Sequence, residues 1–216
     1  MIRAVILDFD GVVIESATVK TRAFCDLFAG SGKIDQIRAF HIANSGISRH
    51  VKIREIRERI LGLARDERDE RVLADRFAAL IETGVADAPF VPGARAFIEN
   101  PGGRLLYVAS GTPQDELREI AAARGIAPHF TGIFGSPEQK PSIIRRVLAT
   151  HALTPADVVF VGDGLSDQRA AAETAVHFVA RLHDESDLAP STWEVADLTA
   201  LPGVIARIER AVPDSA

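Results

Sequence analysis

The chain has 216 residues, of which 47% are hydrophobic and 25% are charged, and its formal net charge is −5. This composition is typical of a packed globular protein, and the lack of a long Lys or Arg run argues against nucleic acid as a partner. No apolar run approaches the roughly 20 residues of a membrane-spanning helix, and the first residues lack a signal-peptide pattern, so we expect a cytoplasmic protein. Cys25 is the single cysteine, and its apolar helical surroundings predict a buried structural thiol.

The first predicted element is a buried strand over Ala4–Leu7, a short apolar run that ends abruptly at Asp8. The stretch from Ala17 to Thr83 shows helical periodicity and no convincing strand, which predicts an inserted helical subdomain. The exit from this insert is marked by turn residues: Pro89, Pro92 and Gly93.

The rest of the chain alternates apolar strand patterns with helical ones. Short apolar runs predict further strands over Leu105–Ala109, Val158–Val161 and Val176–Ala180, and a weaker one over Phe130–Phe134. Helical patterns lie between them: Pro113–Arg124, Pro141–His151 and Ser166–Thr174. This alternation predicts βαβ units, and hence an α/β fold with a parallel sheet covered on both faces. Residues 1–16 and 84–216 would form this core, with a frayed tail over Val212–Ala216.

Two acids follow the first strand directly, in the sequence Asp8-Phe9-Asp10-Gly11. On an extended chain residues two apart point to the same side, so both carboxylates share one face at the end of the strand. Acids this close repel each other unless a cation lies between them or one of them holds a proton. A surface turn also favours Asp and Gly, so this motif alone does not establish a site.

Ser110 comes directly after the predicted strand Leu105–Ala109. The residues that follow predict a helix start, with Thr112 as the N-cap, Pro113 at the first position and Asp115 closing a capping box. A hydroxyl beside free helix N–H groups is suited to binding an anion. Plain helix capping explains the same residues equally well.

Two more features follow later in the chain. Lys140 precedes Pro141, and because proline disfavours a helical conformation of its predecessor, Lys140 is expected to project from the start of a helix. Asp163 and Asp167 follow the strand Val158–Val161, and both could face magnesium, which prefers carboxylate and water oxygens. A solvated lysine and a polar loop are the alternatives when each feature is taken alone.

Taken together, these features place acid or hydroxyl groups after three separate buried strands. Open parallel sheets bind their ligands at the carboxyl ends of the strands. The set contains a nucleophile, a cation holder, a hydroxyl and a fixed positive charge, which are the groups that phosphoryl transfer requires. The sequence therefore predicts a phosphoryl-transfer site.

The order of these motifs resembles that of the haloacid dehalogenase-like hydrolase superfamily. The matching residues are Asp8-Phe9-Asp10-Gly11-Val12-Val13, Ser110, Lys140, and Gly162-Asp163 with Asp167. The resemblance implies a Rossmann-like, doubly wound core in which residues 17–83 form an α-helical cap. It also implies a phosphatase of the helical-cap branch, which contains phosphoglycolate phosphatases and β-phosphoglucomutases.

The resemblance implies a catalytic role for each acid of the first motif. Asp8 corresponds to the nucleophile that becomes an aspartyl-phosphate, and Asp10 to the acid that protonates the leaving oxygen and later activates water. These roles require Asp8 to be ionised and Asp10 to be protonated at neutral pH. We therefore expect the pKa of Asp10 to lie well above its usual value near 4, raised by the neighbouring carboxylate of Asp8.

The resemblance also implies which groups bind phosphate and metal. Ser110 and Gly111, together with Lys140, correspond to the groups that bind the phosphoryl oxygens. Asp163 corresponds to a direct magnesium ligand, Asp10 contributes its backbone carbonyl, and Asp167 steadies the metal shell or Lys140. The complete implied magnesium site contains four acids: Asp8, Asp10, Asp163 and Asp167.

The expected substrate is a small phosphorylated metabolite. Asp10 favours a phosphatase over a dehalogenase, because phosphate-ester cleavage needs an acid at that position. The sequence Gly46-Ile47-Ser48-Arg49 resembles the cap loop of β-phosphoglucomutase, in which the Arg grips a second phosphate, so a sugar phosphomutase is the alternative. Lys20 stands where that mutase has a histidine. We expect Arg49 and Lys20 to face the site and to bind the substrate.

Two non-enzymatic alternatives are a phosphoacceptor signalling domain and a binding module that has lost its activity. Phosphoacceptor domains are about half this length and accept phosphate on an Asp after a middle strand, whereas here the paired acids follow the first strand. A module that only binds would not need the complete set of Asp8, Asp10, Lys140 and Asp163. The sequence leaves the oligomeric state open.

Overall fold

The centre of the molecule is a six-stranded parallel sheet in the computed structural model, which describes residues 1–211. The strands are β1 (Ala4–Leu7), β2 (Leu105–Pro113), β3 (Gly132–Ser136), β4 (Val158–Gly162), β5 (His177–Arg181) and β6 (Glu194–Val195). They lie in the order β3-β2-β1-β4-β5-β6, and all neighbouring pairs are parallel. This order is that of a doubly wound, Rossmann-like sheet, so the predicted α/β class is confirmed.

Helices cover both faces of the sheet and fill the segment between β1 and β2. They are α1 (Ala17–Leu27), α2 (Ile34–Ala43), α3 (Arg49–Glu55), α4 (Glu67–Asp87), α5 (Ala94–Glu99), α6 (Gln114–Ala123), α7 (Lys140–Thr150), α8 (Leu165–Thr174) and α9 (Leu201–Ala211). Along residues 1–211, no helix is both long and apolar enough to cross a membrane.

Alternate residues of the central strand enter two different apolar layers, because successive side chains of a strand point to opposite faces. Val5 and Leu7 share one layer with side chains of α5, α6 and α9, whereas Ala4 and Ile6 share the other with side chains of α7 and α8. All four residues of β1 are buried. Burial on both faces explains why the strand is a continuous apolar run and does not alternate with polar residues.

The insert that begins at Ala17 is helical, as predicted, and contains α1 to α4, whereas α5 follows it and leads into β2. α1 packs against α2 and α4, and the rings of Phe24 and Phe77 lie 4.3 Å apart between their centroids. α3 continues into a π-helical turn over Ile56–Ile60. α4 ends at Asp87, four residues beyond the predicted limit at Thr83. The division of the chain into a cap over residues 17–83 and a core remains a prediction.

The sequence patterns above do not predict α5, β6 or α9. A signal for α9 is present, because its buried residues recur at helical spacing: Leu201, Val204, Ile205 and Ile208. Cys25 is only partly buried, which corrects the expectation of a buried structural thiol, and this partial burial raises its pKa. The expected frayed tail, Val212–Ala216, lies outside the described residues.

Gly93 joins the helical insert to α5 in a conformation that other residues rarely adopt. Its φ is +79°, and an added Cβ would lie 2.3 Å from the backbone nitrogen of Thr199. Gly203, in α9, has open space around its Cα. We therefore expect substitution by alanine to change the stability of the protein in opposite directions at these two positions.

We expect Gly93→Ala to lower the free energy of unfolding by about 1 to 3 kcal/mol, because the new methyl group meets backbone and φ is strained. Gly203→Ala should raise it by about 0.4 to 1 kcal/mol, because alanine loses less conformational entropy in a helix. Urea unfolding of both variants measures the difference. Equal stabilities of the two variants would contradict this account of Gly93.

Candidate active site

Three neighbouring strands end at one place and bring together the acids and the hydroxyl predicted from the sequence. β1 lies between β2 and β4, with Leu7 paired to Val108 on one side and to Val161 on the other. Asp8 follows β1, Ser110 lies in the last part of β2, and Asp163 follows β4. The order of strands reverses at β1, and such a reversal opens a crevice at the carboxyl edge of the sheet.

Asp8, Lys140 and Asp167 form a buried charged cluster in this crevice. Lys140 Nζ lies 2.9 Å from Asp8 Oδ2 and 2.5 Å from Asp167 Oδ1. Burial raises the pKa of Asp8 to about 7 against the opposing charge of Lys140, and it also raises the pKa of Asp167. Burial alone would lower the pKa of Lys140. The negative charges of Asp167 and Asp8 together have a larger effect in the opposite direction, so the pKa of Lys140 is raised. Lys140 thus stays charged and links two acids that otherwise favour protonation.

A third acid, Asp163, completes a group of carboxylates that fits a hard cation. Asp8, Asp163 and Asp167 each have one carboxylate oxygen that lies within 4.8 Å of the corresponding oxygens of the other two. Asp163 Oδ2 is 2.8 Å from His183 Nε2, whereas Asp163 Oδ1 is buried and has no hydrogen-bond partner. A buried carboxylate oxygen without a partner is costly unless a ligand satisfies it, so these residues fit a magnesium ion.

The backbone beside this group is shaped to leave room for Asp163. Gly11 has a φ of +74°, and a Cβ added to it would lie 2.1 Å from Asp163 Oδ2. His183, which follows β5, is a member of the site that the sequence patterns did not single out. Its place just past the end of a buried strand is the signal that could have found it.

Asp10 lies beside the cluster but has different partners. Its carboxylate accepts hydrogen bonds from the hydroxyls of Ser16 (2.6 Å) and Thr112 (2.9 Å) and from Lys20 Nζ (2.5 Å). Burial favours the neutral form, yet the charge of Lys20 and these hydrogen bonds together lower the pKa of Asp10. The expectation of a raised pKa is therefore wrong for this arrangement, because it considered Asp8 and omitted Lys20. The side chain of Asp10 is also not one of the three clustered metal-ligand carboxylates.

Thr112 is part of the site and does not cap a helix. β2 runs through Pro113, and Pro113 itself precedes the first residue of α6. The predicted N-cap role of Thr112 is wrong, because β2 pairs with β3 as far as Pro113 and Ser136. Its hydroxyl instead contacts Asp10 and Lys20. Ser110 is buried, and its Oγ accepts a hydrogen bond from the Thr112 N–H at 3.1 Å.

The helical insert covers this crevice and encloses a pocket above Asp8. The loop before α3 touches the core: Ser166 Oγ donates to the carbonyl of Ser45 at 2.5 Å, and Gly46 lies against Gly111 and Lys140. The core contributes Asp8, Asp10, Gly111, Thr112 and His183 to the pocket lining. The insert contributes aromatic and basic side chains: Lys20, Phe24, His41, Arg49, Lys52 and Phe77.

Arg49 and Lys20, the two predicted substrate-binding residues, both line this pocket. Arg49 is 6% exposed, and its Nη2 lies 2.6 Å from each carboxylate oxygen of Glu116 on α6. The guanidinium also lies over the ring of Phe77, 5.2 Å from its centroid. Arg49 is therefore held between the insert and the core, and it is not the solvated surface charge of an ordinary Arg-rich helix.

The fold resembles those of several solved enzymes. A predicted phosphoglycolate phosphatase from Haemophilus somnus has a TM-score of 0.75 at 16% identity, with 94% of this chain and 98% of that chain covered. β-Phosphoglucomutase from Clostridium difficile has a TM-score of 0.77 at 16% identity, covering 98% and 99%. CbbY from Rhodobacter sphaeroides, solved in complex with phosphate, has a TM-score of 0.71 at 21% identity, covering 93% and 96%. At these identities the likeness establishes the fold.

No curated protein sequence matches the chain significantly. The model of one protein family, described as haloacid dehalogenase-like hydrolase, matches residues 2–174. This match runs from β1 through the helical insert to α8, and it includes Asp8, Ser110, Lys140, Asp163 and Asp167. The chain belongs to the haloacid dehalogenase-like hydrolase family.

Proposed function

We propose that this protein is a magnesium-dependent phosphatase that hydrolyses a small phosphorylated metabolite through an aspartyl-phosphate on Asp8. The observation that carries the proposal is the position of Asp8. Its carboxylate lies at the junction of three strand ends, bonded to Lys140, and beside Asp163, which has an unpartnered buried oxygen. A nucleophile, a fixed cation and a cation-binding acid at one point are what phosphoryl transfer requires.

In the first step, a carboxylate oxygen of Asp8 attacks phosphorus and the bond from phosphorus to the leaving oxygen breaks. Ser110, the Gly111 backbone and Lys140 would bind the phosphoryl oxygens and keep the group in line with Asp8. A bound Mg²⁺, held by Asp8, Asp163 and Asp167, would supply positive charge that favours ionised Asp8 and offsets the charge of the phosphoryl group. The ammonium group of Lys140 supplies a second positive charge next to the Asp8 carboxylate.

Asp10 would move the protons. It gives one to the leaving oxygen in the first step and takes one from the water that attacks phosphorus in the second. The bond between phosphorus and the Asp8 oxygen then breaks, which releases inorganic phosphate and restores the Asp8 carboxylate. In the present arrangement Lys20 favours the ionised form of Asp10. The negative charge of a bound phosphate ester opposes that ionisation and raises the pKa of Asp10 again. The proton that Asp10 donates is therefore acquired in the substrate complex.

A sugar phosphomutase is the second candidate, supported by the loop from Gly46 to Arg49, which brings Arg49 to the pocket. Lys20, where that mutase has a histidine, favours the phosphatase. A magnesium-dependent screen of phosphorylated metabolites separates the two functions, because a phosphatase releases inorganic phosphate whereas a mutase returns an isomeric sugar phosphate. Isomerisation without phosphate release would overturn the phosphatase proposal.

The nucleophile assignment predicts that Asp8→Asn lowers turnover by at least about 10³-fold, since an amide cannot attack phosphorus and removing such a group costs several powers of ten. Circular dichroism should show that the variant is folded. Asp75→Asn, at an exposed acid on α4, is the matched control and should keep full activity. Residual activity of Asp8→Asn above about 1% would remove Asp8 from this role.

The metal assignment predicts that EDTA abolishes activity and that added Mg²⁺ restores it. Asp163→Asn should raise the dissociation constant for Mg²⁺, measured by isothermal titration calorimetry, by at least about 10-fold, because a direct carboxylate ligand is lost. Asp187→Asn, at an exposed acid after β5, should bind Mg²⁺ like the wild type. Full activity in metal-free buffer would contradict the assignment.

The acid–base assignment predicts a dependence on the leaving group. Asp10→Asn should slow hydrolysis of an alkyl phosphate by about 10² to 10⁴, the usual contribution of a general acid, because the alkoxide needs a proton to leave. A nitrophenyl phosphate has a better leaving group and should lose less. Steady-state rates on both esters test this, and equal losses would assign Asp10 a structural role only.

A further inference from the structure

Lys52 is a buried lysine on the wall of the pocket that the catalytic proposal does not use. It lies in α3 and is 4% exposed. Its Nζ is 3.3 Å from His41 Nδ1 and 5.5 Å from the centroid of the Phe24 ring. Among the ion pairs of residues 1–211, none involves Lys52. The side chain is therefore buried beside two uncharged rings, without an acid to balance its charge.

The other cations at the site each have a carboxylate partner. Lys20 pairs with Asp10, Arg49 pairs with Glu116, and Lys140 pairs with Asp8 and Asp167. Lys52 differs from all three in this respect. Burying an ammonium group without a partner is unfavourable, and burial, followed by the charge of Lys20, lowers the pKa of Lys52 to about 7. An anion bound in the pocket would remove this penalty.

His41 is placed to support an anion at Lys52. It is 6% exposed, and its ring lies 4.5 Å from that of Phe24 between centroids. Burial and the charge of Lys52 hold the pKa of His41 well below its usual value, so the ring is neutral. The Lys52 ammonium then donates one hydrogen bond to His41 Nδ1, which fixes the direction of the group. An ammonium has three N–H donors, so two remain for a ligand.

We propose that Lys52, oriented by His41, forms a second anion site in the pocket, so that the protein selects phosphate esters whose leaving group carries a carboxylate or a second phosphate. The inference rests on the proposed function for the identity of the first site, where the transferred phosphoryl group binds beside Asp8. Arg49 and Lys20 would add positive charge to the same wall, but both already have acidic partners. Lys52 would therefore contribute most to the preference for a second anion.

Binding of phosphonates tests the proposal without turnover, since the carbon–phosphorus bond is not a substrate for ester hydrolysis. 3-Phosphonopropionate and propylphosphonate differ only in a carboxylate that replaces a methyl group. Propane-1,3-diyl bisphosphonate places a second phosphonate at a similar distance. Isothermal titration calorimetry with Mg²⁺ present should show that the wild type binds one or both of the doubly anionic compounds at least about 10-fold more tightly than propylphosphonate, the effect of one hydrogen bond to a charged group.

Lys52→Met keeps an unbranched side chain of nearly the same length and removes its charge. In this variant the doubly anionic compounds should bind less than about 3-fold more tightly than propylphosphonate. The dissociation constant for propylphosphonate itself should stay within about 3-fold of its wild-type value. Lys33→Met removes an exposed lysine of the insert and should leave the preference unchanged. An undiminished preference in folded Lys52→Met would overturn the proposal. Equal binding of all three compounds by the wild type would overturn it as well.

Proton uptake by the wild-type protein gives a test that does not depend on any variant. A bound anion raises the pKa of Lys52 from near 7, so at pH 8 the lysine takes up a proton on binding. Calorimetry in two buffers of different ionisation enthalpy should show this extra uptake with 3-phosphonopropionate and not with propylphosphonate. Equal uptake would contradict the proposal.

The metabolite screen separates a failure of this inference from a failure of the proposed function. Turnover of neutral-tailed and anionic-tailed phosphate esters at equal kcat/KM would contradict the second anion site and leave the phosphatase intact. Absence of turnover on every ester, with the Lys52-dependent preference for doubly anionic phosphonates preserved, would contradict the phosphatase and leave the anion site intact.

Discussion

The buried ion cluster of Asp8, Lys140 and Asp167 is the interaction on which the rest of the site depends. Charges removed from water are stable only when each has a close, well-oriented partner. Here the partners come from the end of β1 and the first turns of α7 and α8. The cluster therefore forms only if the sheet holds the end of β1 and the starts of α7 and α8 in fixed relative positions. The apolar layers on both faces of β1 keep these elements in place.

The core and the main acids could be predicted from sequence because each depends on local signals. β1 and β4 are uninterrupted apolar runs, buried on both faces, and Asp8 and Asp163 stand immediately after them. The parallel sheet then brings their ends together without further information. The same reasoning could not determine the ionisation of Asp10, because that depends on Lys20, which reaches it from the helical insert.

Residues whose role comes from a long-range contact were the ones that sequence reasoning missed or misread. Thr112 has the local pattern of a helix cap, but strand pairing with β3 extends β2 past it and leaves its hydroxyl on Asp10. His41 and Lys52 lie in α2 and α3, helices that also carry arginines, where a solvated charge is the ordinary expectation. Only the tertiary fold shows that both are buried and adjacent.

The strand order has a consequence for the synthesis of the protein. β1 is made first, yet its two neighbours in the sheet are β2 and β4, and the whole helical insert is made before either of them. The nascent chain therefore exposes the apolar β1 with no partner strand until β2 has been made. Asp8, which follows β1, meets Lys140 only after α7 has left the ribosome and Asp163 only after β4 has left it, so chaperones that bind short apolar segments have an interval in which to bind β1.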